Sequence, residues 1–294
     1  MSTFCSGPNY KFSLRLIKMT GGLGNQMFIY AFYLRMRKLF PNVRIDLSDM
    51  MHYRVHNGYE LHHIFQLPKD EFCINQKVKK VIEFLFFQTI LERKQTSQEA
   101  FWKPRFWPLV YFKGFYQSED FFRDIKEDVR RAFTFDSSKA VERSRMMALQ
   151  IQNDSNAVSL HIRRGDYLQP KHWEAIGRIC QLSYYRNAIA EMEKQVSSPH
   201  YYVFSDDLDW VRENLPLTNV TYIDWIRGAD SWQDMMLMSC CRYHIICNST
   251  FSWWGAWLDT HPEKVVVLPE QWTSQVDSRS FLSGEGKWIQ VSTN

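Results

Sequence analysis

The chain has 294 residues, enough for two domains of ordinary size or one large one. With 45% hydrophobic and 23% charged residues it does not read as disordered, and its net charge of +4 is too mild a surplus to argue for nucleic acid. Six cysteines, at positions 5, 73, 180, 240, 241 and 247, show neither Cys-x-x-Cys nor a zinc-binding spacing with His, which points to reduced, mostly buried thiols in a cytosolic setting.

The opening stretch MSTFCSGPNYKFSLRLIKM lacks the basic start and long apolar run of a signal peptide or membrane anchor, so a cytoplasmic chain is expected. A strand at about residues 12 to 19 leads into the glycine-rich turn Gly21-Gly22-Leu23-Gly24-Asn25-Gln26, followed by a helix from Gln26 to Leu39 that is apolar nearly all round and so buried. A second strand, Val43 to Leu47, completes a βαβ unit. The turn is not the dinucleotide fingerprint, because it lacks the G-x-G-x-x-G spacing. It offers close backbone approach at Gly22 and Gly24, N–H donors at a helix start, and the side-chain amides of Asn25 and Gln26. Residues 78 to 92 read as one amphipathic helix, too short to span a bilayer, for which packing is favoured over contact with a membrane surface. Phe101 to Tyr116 reads as loop plus short strand.

A polar interval from Asp136 to Asn156 around one charged helix sets the expected domain boundary, giving domains 1–150 and 151–294. Beyond it strands at 157–162, 200–205, 219–223, 243–247 and 264–268 alternate with helices at 181–196, 207–214, 231–240 and 250–259. Such alternation predicts a parallel, doubly wound sheet, with ligands at the carboxyl ends of its strands.

The segment His161-Ile162-Arg163-Arg164-Gly165-Asp166-Tyr167 puts two guanidinium groups directly behind an apolar strand. Arg carries a planar fork that matches two phosphate oxygens and keeps its charge at working pH, so this loop is expected to bind a pyrophosphate; the alternative is an Arg pair satisfied by Asp166 or by solvent. At the last strand-to-helix junction Ser249, Thr250 and Ser252 cluster hydroxyls where the helix dipole favours an anion. Phe251, Trp254, Trp257 and Leu258 have core spacing, and Trp253 is kept as a ligand contact. Between these junctions Ser205 and Asp206 end a strand, with Asp207 and Asp209 forming a D-x-D. That pair suits a divalent metal on a nucleotide diphosphate, but a metal would duplicate the neutralisation supplied by the Arg pair. Carboxylates that cap the next helix or accept from a nucleobase are therefore favoured, and no metal site is assigned. The sequons beginning at Asn153, Asn219 and Asn248 are discounted.

Taken in order, GGLGNQMFIYAF, HIRRGDY and NSTFSWWGAWL resemble the α-1,2-fucosyltransferases over about residues 16 to 272, and more distantly the α-1,6 and protein O-fucosyltransferases. The resemblance implies a GT-B fold, α/β with two Rossmann-like doubly wound domains facing a central cleft: an N-terminal acceptor-side domain and a C-terminal domain binding GDP-fucose. It implies inverting transfer of L-fucose from GDP-fucose, without metal or other cofactor, to the 2-hydroxyl of a terminal β-galactoside. Galactose-terminated oligosaccharides are then the acceptors, with no nucleic-acid partner, at most peripheral membrane contact, and no oligomeric state read from the sequence. By carry-over Arg163 contacts the donor phosphates and is needed for transfer, and Arg164 and Asp166 match the same motif. His161 lines the donor, Asp206 matches a guanine contact, Ser252 a phosphate contact, and Asn25 and Gln26 the loop amides. Asp46 and Glu60 are positioned as base candidates but are not assigned that role. The rival readings are a metal-dependent transferase using Asp207 and Asp209, and a non-catalytic carbohydrate- or nucleotide-binding protein.

Overall fold

The computed structural model describes residues 13–53, 56–68, 71–92, 101 and 108–294, so the middle of the aromatic stretch after Phe101 lies outside the described residues. The chain divides into two compact units at Thr134/Phe135.

In the first unit β1 (Leu14–Lys18) lies between β2 (Val43–Asp46) and β4 (Leu109–Lys113), and β3 (Gln88–Leu91) pairs with the far edge of β4, all in parallel. The connection from β1 to β2 is α1 (Leu23–Leu39), buried along most of its length as its all-round apolar sequence requires. Phe32 stacks on Tyr116 at 3.8 Å, while Phe101, Phe112 and Phe121 meet its ring edge-on, and Arg37 and Lys38 stand in the last turn, where the helix dipole favours cations. The segment read as one helix over 78–92 is divided. Helix α2 (Gln76–Phe86), capped by the Asn75 side chain accepting from the Lys77 N–H, stops at Phe87, and the β-branched Thr89 and Ile90 continue as β3.

In the second unit the strands run in the order β12-β9-β8-β5-β6-β7, every neighbouring pair parallel. These are β5 (Ala157–Ile162), β6 (His200–Ser205), β7 (Val220–Tyr222), β8 (Tyr243–Ile245), β9 (Val265–Pro269) and β12 (Lys287–Val291), with a small antiparallel pair, β10 (Gln271–Thr273) and β11 (Val276–Asp277), beside them. Helices α5 (Leu182–Gln195), α6 (Leu208–Asn214), α7 (Trp232–Met238) and α8 (Thr250–Leu258) connect them. A core of Val158, Leu160, Tyr184, Ala188, Met192, Val203 and Ile245 joins α5 to the sheet. The strand order reverses between β5 and β8, so their carboxyl ends flank the crevice where open α/β sheets hold ligands.

The division falls just after α3 (Lys126–Ala132) and before the expected boundary at 150/151, and α4 (Glu142–Gln152) explains why. Ser144 accepts from the Trp225 indole at 3.0 Å, Arg143 lies 3.9 Å over the same ring, and the Val141 N–H donates to Gln233, so this polar helix packs on the second sheet's elements.

Candidate functional site

Strand β5 is buried along its whole length, and its register with β6 sets Ile162 opposite Ser205. The loops that follow therefore leave the sheet side by side. Backbone N–H of Arg164 donates to Asp206 Oδ1 at 2.8 Å, which couples them. Arg163 donates through Nε to Asp166 Oδ1 at 2.9 Å and stands 3.6 Å from Asp206 Oδ2. Burial opposes its charge, but these two carboxylates hold the guanidinium pKa above its ordinary value. Among the described residues no hydrogen bond or ion pair engages its two Nη nitrogens. Asp166 thus does pair with Arg163, as the alternative reading required, yet the pairing occupies one edge of the fork and orients the other.

Arg164 is used differently. Its Nε donates to Asp207 Oδ2 at 3.0 Å and its guanidinium carbon lies 3.9 Å over the Trp210 ring. Asp207 accepts from the Trp210 N–H and caps α6, while Asp209 pairs with Arg212. The favoured capping role of the D-x-D carboxylates is therefore seen at Asp207, and Arg164 is a positioning residue that ties the Arg loop to that helix. Ser205 accepts from the Asp207 N–H at 3.0 Å and shapes the same turn. Gly165 permits the close approach of the two loops, because a Cβ there would lie 2.9 Å from Asp206 Oδ2.

His161 is buried, its Nδ1 lying 3.3 Å from Cys247 Sγ. Burial, reinforced by Arg163, lowers its pKa to about 3, so the ring is neutral, and burial pushes the Cys247 thiol up to about 12. His161 and Cys247 thus join the ends of β5 and β8 as a neutral pair. Past Cys247, Ser249 caps α8 by accepting from the Phe251 N–H, and Thr250 is its half-exposed first residue. Two residues expected as ligand contacts lie deeper in the fold. Ser252 is fully buried, its hydroxyl donating to the Ser249 carbonyl, and Trp253 is fully buried with its indole donating to the Phe281 carbonyl at 2.7 Å. Both stand within the packing of a helix whose Trp254 and Trp257 are also fully buried.

Asn248, read from sequence only as a discounted sequon, and Tyr167 hold this junction. Asn248 donates to the Ile176 and Trp272 carbonyls, both at 3.0 Å, and its own carbonyl accepts from the Tyr167 hydroxyl at 3.1 Å. Its burial also rules out glycosylation in the folded chain. An invitation to look at Asn248 lay in the motif itself, since a buried Asn between a strand and a helix needs partners.

The glycine-rich turn lies in the first unit. The helix begins at Leu23, earlier than read, with Gly22 as N-cap and Gly24, Asn25 and Gln26 inside its first turn. Gly21 adopts φ +84°, and a Cβ at Gly22 would lie 3.3 Å from the His56 ring. Gln26 does not present its amide to a ligand. It is fully buried, donates to the Gly21 and Gly58 carbonyls at 2.9 and 2.7 Å, and accepts from the Glu60 N–H at 2.9 Å. Asn25 is half-buried and accepts from Gln117 at 2.7 Å. Neither base candidate is poised for proton transfer: Asp46 is buried and bonded to Ser48, Tyr111 and Lys79, and Glu60 is buried and bonded to Asn57. Burial raises the Glu60 pKa. A cavity of about 530 Å³ in this unit opens instead beside α2, lined by Lys18, Lys80, Lys113, Asp49 and Phe84 among others, and touches none of the residues of the three motifs.

The chain matches glycosyl transferase family 11 over residues 8–289 and belongs to that family. It is a glycosyltransferase. Among its relatives it is 31% identical to an alpha-1,2-colitosyltransferase of Escherichia coli, over 95% of this chain and 99% of that one. It is 29% identical to galactoside alpha-(1,2)-fucosyltransferase 1 of Homo sapiens, over 51% of this chain and 43% of that one. Its fold is similar to that of the fucosyltransferase NodZ from Bradyrhizobium, with a TM-score of 0.52 at 15% identity, covering 86% of this chain and 94% of that one. The expected α/β class with parallel sheets and GT-B architecture is thus found.

Proposed function

We propose that the chain transfers L-fucose from GDP-fucose to the 2-hydroxyl of a terminal β-galactoside, with inversion and without a metal. The observation that carries this reading is Arg163, a charged fork held by Asp166 and Asp206 through one edge at the switch point of the second sheet, beside the N-terminus of α8. As the glycosidic bond lengthens, negative charge grows on the β-phosphate, and the Nη edge of Arg163 stabilises it together with donors at the start of α8 near Ser249 and Thr250. Asp206, whose Oδ1 is already engaged by the Arg164 N–H, offers Oδ2 to guanine N–H donors. His161 supports Arg163 as a neutral neighbour that adds no competing charge. The acceptor hydroxyl attacks the opposite face, and a loose transition state of this kind places little demand on a strong base.

The colitosyltransferase relative favours a second reading, in which the sugar transferred is colitose. Incubating the protein with GDP-fucose or an activated colitosyl donor, in the presence of lactose and longer galactosides, followed by linkage analysis, tests both. Fucosyl transfer to O2 with full activity in EDTA is the expected result. Turnover only with the colitosyl donor supports the second reading, and nucleotide release that does not depend on a galactoside overturns both.

A further inference from the structure

Helix α2 is built inside out. Its buried side carries charge: Lys79 pairs with Asp46 at 2.9 Å and Asp49 at 3.0 Å, and Glu83, one turn on, pairs with Lys113. Its outward side carries Val78, Val81, Phe84 and Leu85, at helical spacing, with Phe84 88% exposed. A surface helix in water has the opposite arrangement, and four large apolar side chains on three turns form a patch that marks an interaction site. Exposed Lys77 and Lys80 flank it. Phe84 also lines the cavity of about 530 Å³, where Lys18, Lys79, Lys80 and Lys113 outnumber Asp49 and Glu83.

We propose that this face is a docking surface for an anionic lipid bilayer, with α2 lying in the plane of the interface. Phe84, Leu85, Val81 and Val78 enter the boundary between head groups and acyl chains, the long side chains of Lys77 and Lys80 reach back to anionic head groups, and the basic cavity beside Phe84 receives one of them. Charge complementarity favours lipid over a second copy of the chain. A second copy would set Lys77 and Lys80 against the same cations. No helix among the described residues is long and apolar enough to cross a membrane.

Flotation of the full chain with vesicles tests this. The protein is expected to rise with vesicles of phosphatidylcholine and phosphatidylglycerol at about two to one, to stay behind with phosphatidylcholine alone, and to be released by high salt. Phe84→Asp combined with Leu85→Asp should reduce flotation by about tenfold or more, with an unchanged melting temperature because both side chains are exposed. Phe84→Trp should keep binding, and its emission should shift to the blue on adding vesicles. The proposal is overturned if the wild-type chain does not float, if the double Asp variant floats equally well, or if sedimentation shows a dimer that the double Asp variant splits.

Discussion

At the scale of single residues, Arg163 and Arg164 show how adjacent side chains of one kind come to do different work. Among the described residues Arg163 engages its carboxylates through Nε and leaves its Nη edge open, whereas Arg164 is committed to Asp207 and Trp210. Arg163→Ala should therefore cut turnover by on the order of a hundredfold, and Arg163→Lys should restore little, because an ammonium cannot hold Asp166 and two phosphate oxygens together. Initial-rate measurements at saturating donor check this. Gly165→Ala should displace Asp206, raising the KM for donor by about tenfold with a smaller effect on kcat, as steady-state kinetics would read. For His161, the folded chain keeps the ring neutral down to about pH 3, while the unfolded chain protonates it below its ordinary value of 6.5. Its stabilisation is complete above pH 6.5 and is lost as pH falls from there toward 3, amounting to on the order of a few kcal/mol. Urea midpoints measured between about pH 7 and pH 4 should fall less steeply in His161→Gln than in the wild type.

At the scale of elements, what sequence makes legible is what periodicity and local chemistry control. The alternation from Ala157 onward located the second sheet's strands along the chain up to Val265, and their parallel run, because each strand is a short apolar run closed by a polar turn. It missed β12, whose Lys287, Trp288 and Gln290 give no apolar run, since an edge strand is only half covered. It also merged α2 with β3, because a helix with its apolar side outward has the periodicity of one packed inward. In the site, the Arg loop, Asp206 and the cap of α8 could be read from residue type, whereas the commitment of Ser252 to the Ser249 carbonyl and of Gln26 to Gly58 and Glu60 depends on partners distant in sequence or hidden by a helix turn. The cap at α6 gives a prediction of its own. Asp207→Ala should cost about 1–2 kcal/mol in chemical denaturation, and more than a cap alone where Arg164 is left without its carboxylate, while activity in EDTA should match activity without it.

At the scale of the whole molecule, the Arg loop, the Asp206 turn and the start of α8 gather on one sheet, so on the function proposed above a nucleotide should stabilise the fold by mass action. GDP at about a hundred times its dissociation constant should add about 2.7 kcal/mol and raise the thermal midpoint of the wild-type chain, with or without EDTA. Arg163→Ala should abolish most of that rise at the same GDP concentration, which differential scanning calorimetry would show.

A polar segment, Lys171 to Arg178, follows the Arg loop in the chain. It folds as a short helical stretch, Pro170–His172, continuing into a wider turn, Trp173–Gly177. One amide, Asn248, bonds the carbonyl of Ile176, the Ser274 N–H bonds that of Ala175, and Gln181 bonds that of Gly177. A stretch moored at three consecutive carbonyls behaves as a fixed wall, not as a flap that opens and shuts with each cycle. Lys171, Glu174 and Arg178 project from it into solvent, Arg178 pairing with Glu174 at 3.1 Å, so exchanging them should leave the backbone beneath in place, and protease nicking there should be as slow as in the sheet itself.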